Sequence, residues 1–346
     1  MQKIILKNGV FFLVQFLCFY GIGKSTSFME RVYMPFVFKP LNALLATITK
    51  PFPFSVGLLF WYLAIGFMII FFAKKFVKKH PNRWTYLLST INVVFCIYML
   101  TWGLLYSRPS LPDLLGIETA PIQTHELDSL CKELVKATNA TREALANKNL
   151  EDTDYEAIFK QAEQAYKSKS EAQFFFTLPN PNLKKASGST LLSYLNTGGI
   201  YNFMTAEANV NTNNLSFEVP FTAYHELAHQ AGFASEDEAN YIAYLTCKSH
   251  PDPLFKYAAN YAIVFRATNL LALRDSTAAK EYLGQLNPLV QQDRKQEYAR
   301  WLQYQNGFQK YISGPFYDLF LKSNGEIDGE SSYDKVIDLI LAEKRK

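Results

Sequence analysis

The sequence predicts a mainly α protein: three N-terminal transmembrane helices followed by an α+β domain with a small sheet and an active-site helix. Three observations predict it. The first is a division of charge. Residues 1–110 carry 12 Lys and Arg against one acid, Glu30, a net of +11; residues 111–346 carry 23 basic and 30 acidic residues, a net of −7. The second is a set of three long apolar segments, all within the basic section. The third is a His-Glu-x-x-His motif at His225–His229, in the acidic section. The 346 residues can bury a sizeable core, and four scattered cysteines do not make a disulfide scaffold. A mean hydropathy of −0.06 conceals this division and would misassign the chain as a uniform soluble globule.

A spanning helix needs about 20 apolar residues to cross roughly 30 Å of hydrocarbon. The segments at about 4–22, 56–73 and 86–106 meet that length. Only Lys7, Asn8 and Gln15 interrupt the first, and the other two carry no charge. The first has no small-x-small cleavage site after it and exceeds a signal-peptide core, so it reads as an uncleaved anchor. Lys74, Lys75, Lys78, Lys79, His80 and Arg83 form a short loop free of acids, which belongs in the cytoplasm. Three crossings then put residues 111–346 on the extracytoplasmic side of a bacterial cytoplasmic (inner) membrane. The stretch 24–54, rich in Phe, Pro and Leu, reads as an apolar connector or a segment lying on the outer membrane surface.

In the domain, apolar spacing predicts helices over 124–148 and 153–170, the second followed by Phe174-Phe175-Phe176. β-branched and aromatic residues around Gly198-Gly199 predict strand over 190–210, ended by the turn cluster 211–214. Beyond Pro220 the pattern is helical over 221–232, 236–248, 253–273, 288–312 and 332–344.

A spacing of four puts His225 and His229 on one helix face, where two neutral imidazoles can share a Zn²⁺ ion. Glu226 is then placed to take a proton from an activated water. The next helix opens with Glu236-Asp237-Glu238-Ala239-Asn240. Glu236 is the expected third ligand and Glu238 its competitor, with Asn240 or Asp237 orienting a histidine from behind. Ser235 and Glu238 also fit a helix capping box. Ser235 is a poor zinc ligand, so a three-histidine version of the site is disfavoured. Tyr201–Val210, with Glu207, Ala208, Asn209 and Val210 at its end, is the expected strand that pairs with an extended substrate. An oxyanion-stabilising tyrosine is expected on general grounds, and Tyr241, Tyr257, Tyr317 and Tyr333 are not separable by sequence. His80, His125 and His250 read as solvated. Cys131 and Cys247 are far apart in sequence, and a bond between them is only weakly suggested.

The chain resembles a bacterial membrane family known as domain of unknown function 3810. The resemblance rests on Glu30-Arg31-Val32-Tyr33, Pro53-Phe54-Ser55-Val56-Gly57, Trp102-Gly103, Glu207–Val210, His225–Gln230, Glu236–Asn240 and 321–325. The resemblance covers almost the whole chain, and it implies that residues 111–346 form a zincin-like domain of the HExxH (gluzincin-like) metallopeptidase type, without a substrate. The sequence departs from the family pattern at Leu104-Leu105-Tyr106 and at Tyr317-Asp318, neither expected to touch the zinc ligands.

The expectation is a membrane-anchored zinc metallopeptidase whose Glu226 serves as base and whose substrate is a peptide or protein, with membrane and envelope proteins nearest to hand. The lipid bilayer is its other partner, and no nucleic acid is expected. The rivals are a non-enzymatic zincin scaffold that binds an envelope partner, and a hydrolase of non-peptide amides. Substrate and oligomeric state are not legible.

Overall fold

Four helices open the chain in the computed structural model, which describes residues 2–148, 150, 154–172, 178, 180–324, 326 and 335–346. They are α1 (Gln2–Gly23), α2 (Thr26–Thr49), α3 (Val56–Val77) and α4 (Arg83–Thr101). All four are long and apolar enough to cross a bilayer, one more than the sequence predicts. The extra one is α2, which replaces the expected connector. Pro35 has no amide to donate, and the helix absorbs this by widening to a π-helix over Met29–Phe38, closed by the Lys39 amide on the Met34 carbonyl.

α2 also differs in its surroundings. A third of its most apolar window is buried (33%), against 0%, 11% and 11% for α1, α3 and α4. Its polar residues bond to later parts of the chain. Tyr33 donates to the Leu100 carbonyl (2.9 Å), Asn42 to Tyr201 Oη (2.7 Å) and the Gln230 carbonyl (3.1 Å), and Thr49 to the Thr205 carbonyl (2.9 Å). α1 and α4 run in the same direction. Asn8 meets Ser89 and Asn92, Phe12 meets Phe95, and a Cβ on Gly23 would touch Ser107.

The remaining elements are α5 (Leu111–Leu115), α6 (Thr124–Glu143), α7 (Tyr155–Ala172), β1 (Leu183–Lys185), α8 (Ser189–Tyr194), β2 (Gly199–Asn202), β3 (Glu207–Val210), α9 (Val219–Gln230), α10 (Glu236–Lys248), α11 (Pro253–Ala272), α12 (Ser276–Gly284), α13 (Pro288–Tyr304), α14 (Gly314–Ser323) and α15 (Val336–Arg345). Residues 190–194, predicted as strand, are helical within α8: Gly188 at φ +83° turns the chain, and Leu192 packs inward. The helix predicted over 288–312 stops at Tyr304, because Asn306 accepts the Gln309 amide (2.8 Å) and starts another. Phe174-Phe175-Phe176 and Tyr333 lie outside the described residues.

The main core forms around α9. Phe217, Tyr224 and Leu227 are fully buried with Phe255 and Tyr257 of α11 and Tyr241 of α10. The sheet covers another side of α9, in the order β1-β3-β2. β3 is its middle strand, parallel to β1 and antiparallel to β2. Both edges of Glu207–Val210 are therefore occupied, and this segment cannot pair with a substrate, contrary to the sequence expectation. Glu207 instead caps α3. Its carboxylate accepts the amides of Val56 (3.0 Å) and Gly57 (2.6 Å), two of the four donors that a helix start leaves without partners. Gly57 is required there, since a Cβ would lie 2.3 Å from Asn202 Nδ2 and Thr205 Oγ1. Replacing the fully buried Glu207 with alanine strands both amides. It should destabilise the full-length protein by about 2–4 kcal/mol, measured by thermal unfolding in lipid nanodiscs.

Candidate metal centre

The centre is assembled by two helix ends and the turn between them. α9 stops at Gln230, and Gly232 takes φ +95°, so the Phe233 amide returns to the Ala228 carbonyl (3.1 Å) and the Gly232 amide to that of His229 (3.0 Å). A side chain at Gly232 would also strike Met34 and Phe38 of α2, each at 2.9 Å. Arg108 fastens the turn from outside. It donates to the Gly232 carbonyl (2.7 Å) and pairs with Glu30 of α2 (2.7 Å), its own side chain nearly buried. The turn leaves the Phe233 carbonyl 2.7 Å from His229 Nδ1.

That carbonyl fixes the His229 tautomer. A carbonyl only accepts, so Nδ1 carries the hydrogen and Nε2 presents a lone pair. Asn240 acts likewise on His225: Oδ1 lies 3.0 Å from Nδ1, turning the His225 Nε2 lone pair toward its neighbour. The two Nε2 atoms are 3.0 Å apart, and Glu236 Oε2 lies 3.1 Å from one and 3.6 Å from the other. A tetrahedral zinc site with bonds of 2.0–2.1 Å holds its donor atoms ~3.3 Å apart. Three electron-pair donors at zinc-site separations fit Zn²⁺ in type, number and spacing, and no other such cluster occurs among the described residues.

The electrostatics agree. Burial works against a charged His229, but the Glu236 carboxylate outweighs it and pushes its pKa up to about 9. Burial, reinforced by His229, lowers the pKa of His225. Burial alone would raise Glu236, yet the two imidazoles hold it well below the usual carboxylate range. His229 and Glu236 thus form a charge pair, and a cation at the point where the donors meet would take the place of the His229 proton.

Glu236 is held on two sides. Its backbone amide donates to Glu326 Oε1 (3.0 Å), and Tyr317 of α14 donates to its Oε1 (2.8 Å), leaving Oε2 for the histidines. The departure from the family pattern at Tyr317-Asp318 therefore does touch a candidate ligand. Of the other tyrosines considered, Tyr257 bonds Asp293 and Tyr241 is buried in the core. Glu238, the competing ligand, turns the other way: Oε1 accepts the Leu111 amide at 2.5 Å, and burial pushes its pKa up to about 8. Ser235 precedes α10 without a capping box; it donates to Asp237 (2.5 Å), so neither Asp237 nor Glu238 serves a histidine. His250 stacks on Phe255 at 3.8 Å and is buried, not solvated. Cys131 and Cys247 are buried and not joined by a disulfide.

Glu226 lies beneath β2. A Cβ on Gly199 would be 2.5 Å from its Oε1, so only glycine admits the carboxylate this close. Asn211 donates to the Gly198 carbonyl, which sets residues 198, 200 and 202 against β3 and leaves the backbone groups of Gly199 and Tyr201 facing outward. The Tyr201 amide bonds Glu226. Burial pushes the Glu226 pKa up to about 8, and its second oxygen has no hydrogen-bond partner. β2, not β3, is the edge strand beside the base. A cavity of about 140 Å³ continues from Gly198 and Thr222 toward the Glu218–Arg300 pair and the rings of Tyr194 and Tyr304.

Sequence reading missed Trp102, whose ring stands edge-on to His229 at 5.4 Å, one residue beyond the end of α4. It also missed Gly199 and Glu326. The glycine pair 198–199 was a signal for β2; nothing local marks Glu326.

Residues 33–341 match the model of a family described as protein of unknown function (DUF3810). No curated protein and no solved structure is matched.

Proposed function

We propose, for a chain that belongs to the DUF3810 family of proteins of unknown function, that it is a membrane-anchored zinc-dependent metallopeptidase. The observation that carries this reading is the convergence of His225 Nε2, His229 Nε2 and Glu236 Oε2 on one point, each held by its own partner. Zinc at that point supplies Lewis acidity, which polarises a carbonyl and lowers the pKa of water. The chain's own groups do the rest. Gly199 and the Tyr201 carbonyl pair an extended peptide along the outer edge of β2. Glu226 takes the proton of the attacking water and passes it to the departing amine. The rings of Trp102 and Tyr201 (5.4 Å apart) keep water from the His229 side.

In this reading α1, α3 and α4 cross the membrane. α2 lies along the domain, because Glu30, Asn42 and Thr49, spread over its length, bond Arg108, Tyr201, Gln230 and Thr205. The basic loop between α3 and α4 faces the cytoplasm, and the catalytic domain the opposite side. Full-length protein in lipid nanodiscs, equilibrated with zinc and freed of excess, should hold one zinc per chain by elemental analysis. A chain that stays free of zinc under those conditions overturns the reading.

A further inference from the structure

The domain carries an apolar surface that its fold does not use. From Gln309 the chain forms one continuous helical run, π-helical over Gln309–Ser313 and α-helical over Gly314–Ser323. Phe308, Tyr311, Ile312, Phe316 and Leu319 recur at helical spacing and are 56%, 70%, 58%, 72% and 63% exposed. A soluble domain does not leave five large apolar side chains along one helix face in water.

The position of the run says what covers it. Its far end packs on α4: Phe320 meets Tyr98 at 6.2 Å between ring centroids, and Tyr98 donates to Asn324 (2.5 Å). Tyr98 lies one turn inside the end of a candidate membrane span. Phe203, at the tip of the β2–β3 hairpin, meets both Tyr98 (6.0 Å) and Trp61 of α3 (6.1 Å), so the same level is fixed on two spans. The apolar face thus continues the lipid-facing surface of the membrane helices. Lys322 pairs with Asp318 within the run, which leaves Lys310 as its lysine without an acidic partner on the run, available to an anionic headgroup.

We propose that the helical run from Gln309 to Ser323 is embedded in the bilayer interface, with Phe308, Tyr311, Ile312, Phe316 and Leu319 in the acyl boundary. The run also touches the cavity and the candidate centre. Gln309 lines the cavity beyond Gly198 at one end, and Tyr317 bonds Glu236 at the other. The embedding stands on the apolar face and its continuity with α4, independently of the zinc reading.

The test uses full-length protein, one copy per nanodisc of phosphatidylcholine and phosphatidylglycerol. Exposed Cys18 and half-buried Cys96 are replaced by serine and alanine, and an NBD label is placed on Phe316→Cys or Leu319→Cys. Brominated acyl chains should quench both labels several-fold more than a label on Lys280→Cys, on α12, while aqueous iodide should quench them less. Labels at 316 and 319 that behave like the one at 280 overturn the proposal. Both positions are exposed, so the substitutions leave the core intact.

Discussion

Glutamine in place of Glu226 will stop hydrolysis while leaving zinc bound. The loss should be about 10²–10⁴-fold, the usual contribution of a positioned general base. Glutamine keeps the volume and an acceptor oxygen for the Tyr201 amide, but it cannot take a proton. Folding should therefore be preserved, which circular dichroism and zinc content will check. With the substrate unknown, the readout is the set of new N-termini that full-length protein in nanodiscs generates from a membrane protein extract. Wild-type protein should produce zinc-dependent cuts, and Glu226→Gln none above background. Equal cutting by the two proteins would remove Glu226 from the chemistry. Cutting by neither would favour the non-enzymatic scaffold. The structural reason to expect a base is the location of Glu226. A carboxylate buried under the outward edge of β2, with one oxygen left without a hydrogen-bond partner, is costly to a fold that gains nothing from it.

The division between membrane helices and domain was legible because burial in lipid and burial in protein leave different patterns. Runs of about 20 apolar residues without charge have few other uses. The histidines were legible because a spacing of four has one geometric meaning on a helix. α2 was not. Its polar residues, Asn42 and Thr49 among them, mimic a surface segment until Tyr201, Gln230 and Thr205 arrive from more than 150 positions away to bond them. The edge strand was misplaced by one strand for a related reason. β2 and β3 have similar residues, and which is central depends on β1, whose three residues give no local signal. Glu207 looked like part of that strand's edge, yet the start of α3, 150 positions earlier, determines its role. Long-range polar contacts carried the missing information throughout.

The choice between Glu236 and Glu238 separates by substitution. Glu236→Ala should lower zinc affinity by more than the 10–100-fold that loss of a mere orienting partner costs. The effect is large because the other two donors sit on one helix and cannot close a tetrahedron alone. Glu238→Ala should leave zinc affinity unchanged, for its carboxylate points to the start of α5. There the loss of a bond to the buried Leu111 amide should appear as about 1–3 kcal/mol of stability. The two variants thus exchange readouts, one moving metal binding by competition with a chelator, the other moving the unfolding midpoint. The reverse pattern, zinc lost with Glu238 and kept without Glu236, would require the turn at Gly232 to rotate α10. That turn is held by Arg108 on the Gly232 carbonyl and by Met34 and Phe38 against its α-carbon. Glu236 is the expected ligand because α2, packed along the domain, holds the turn that presents it to the histidines.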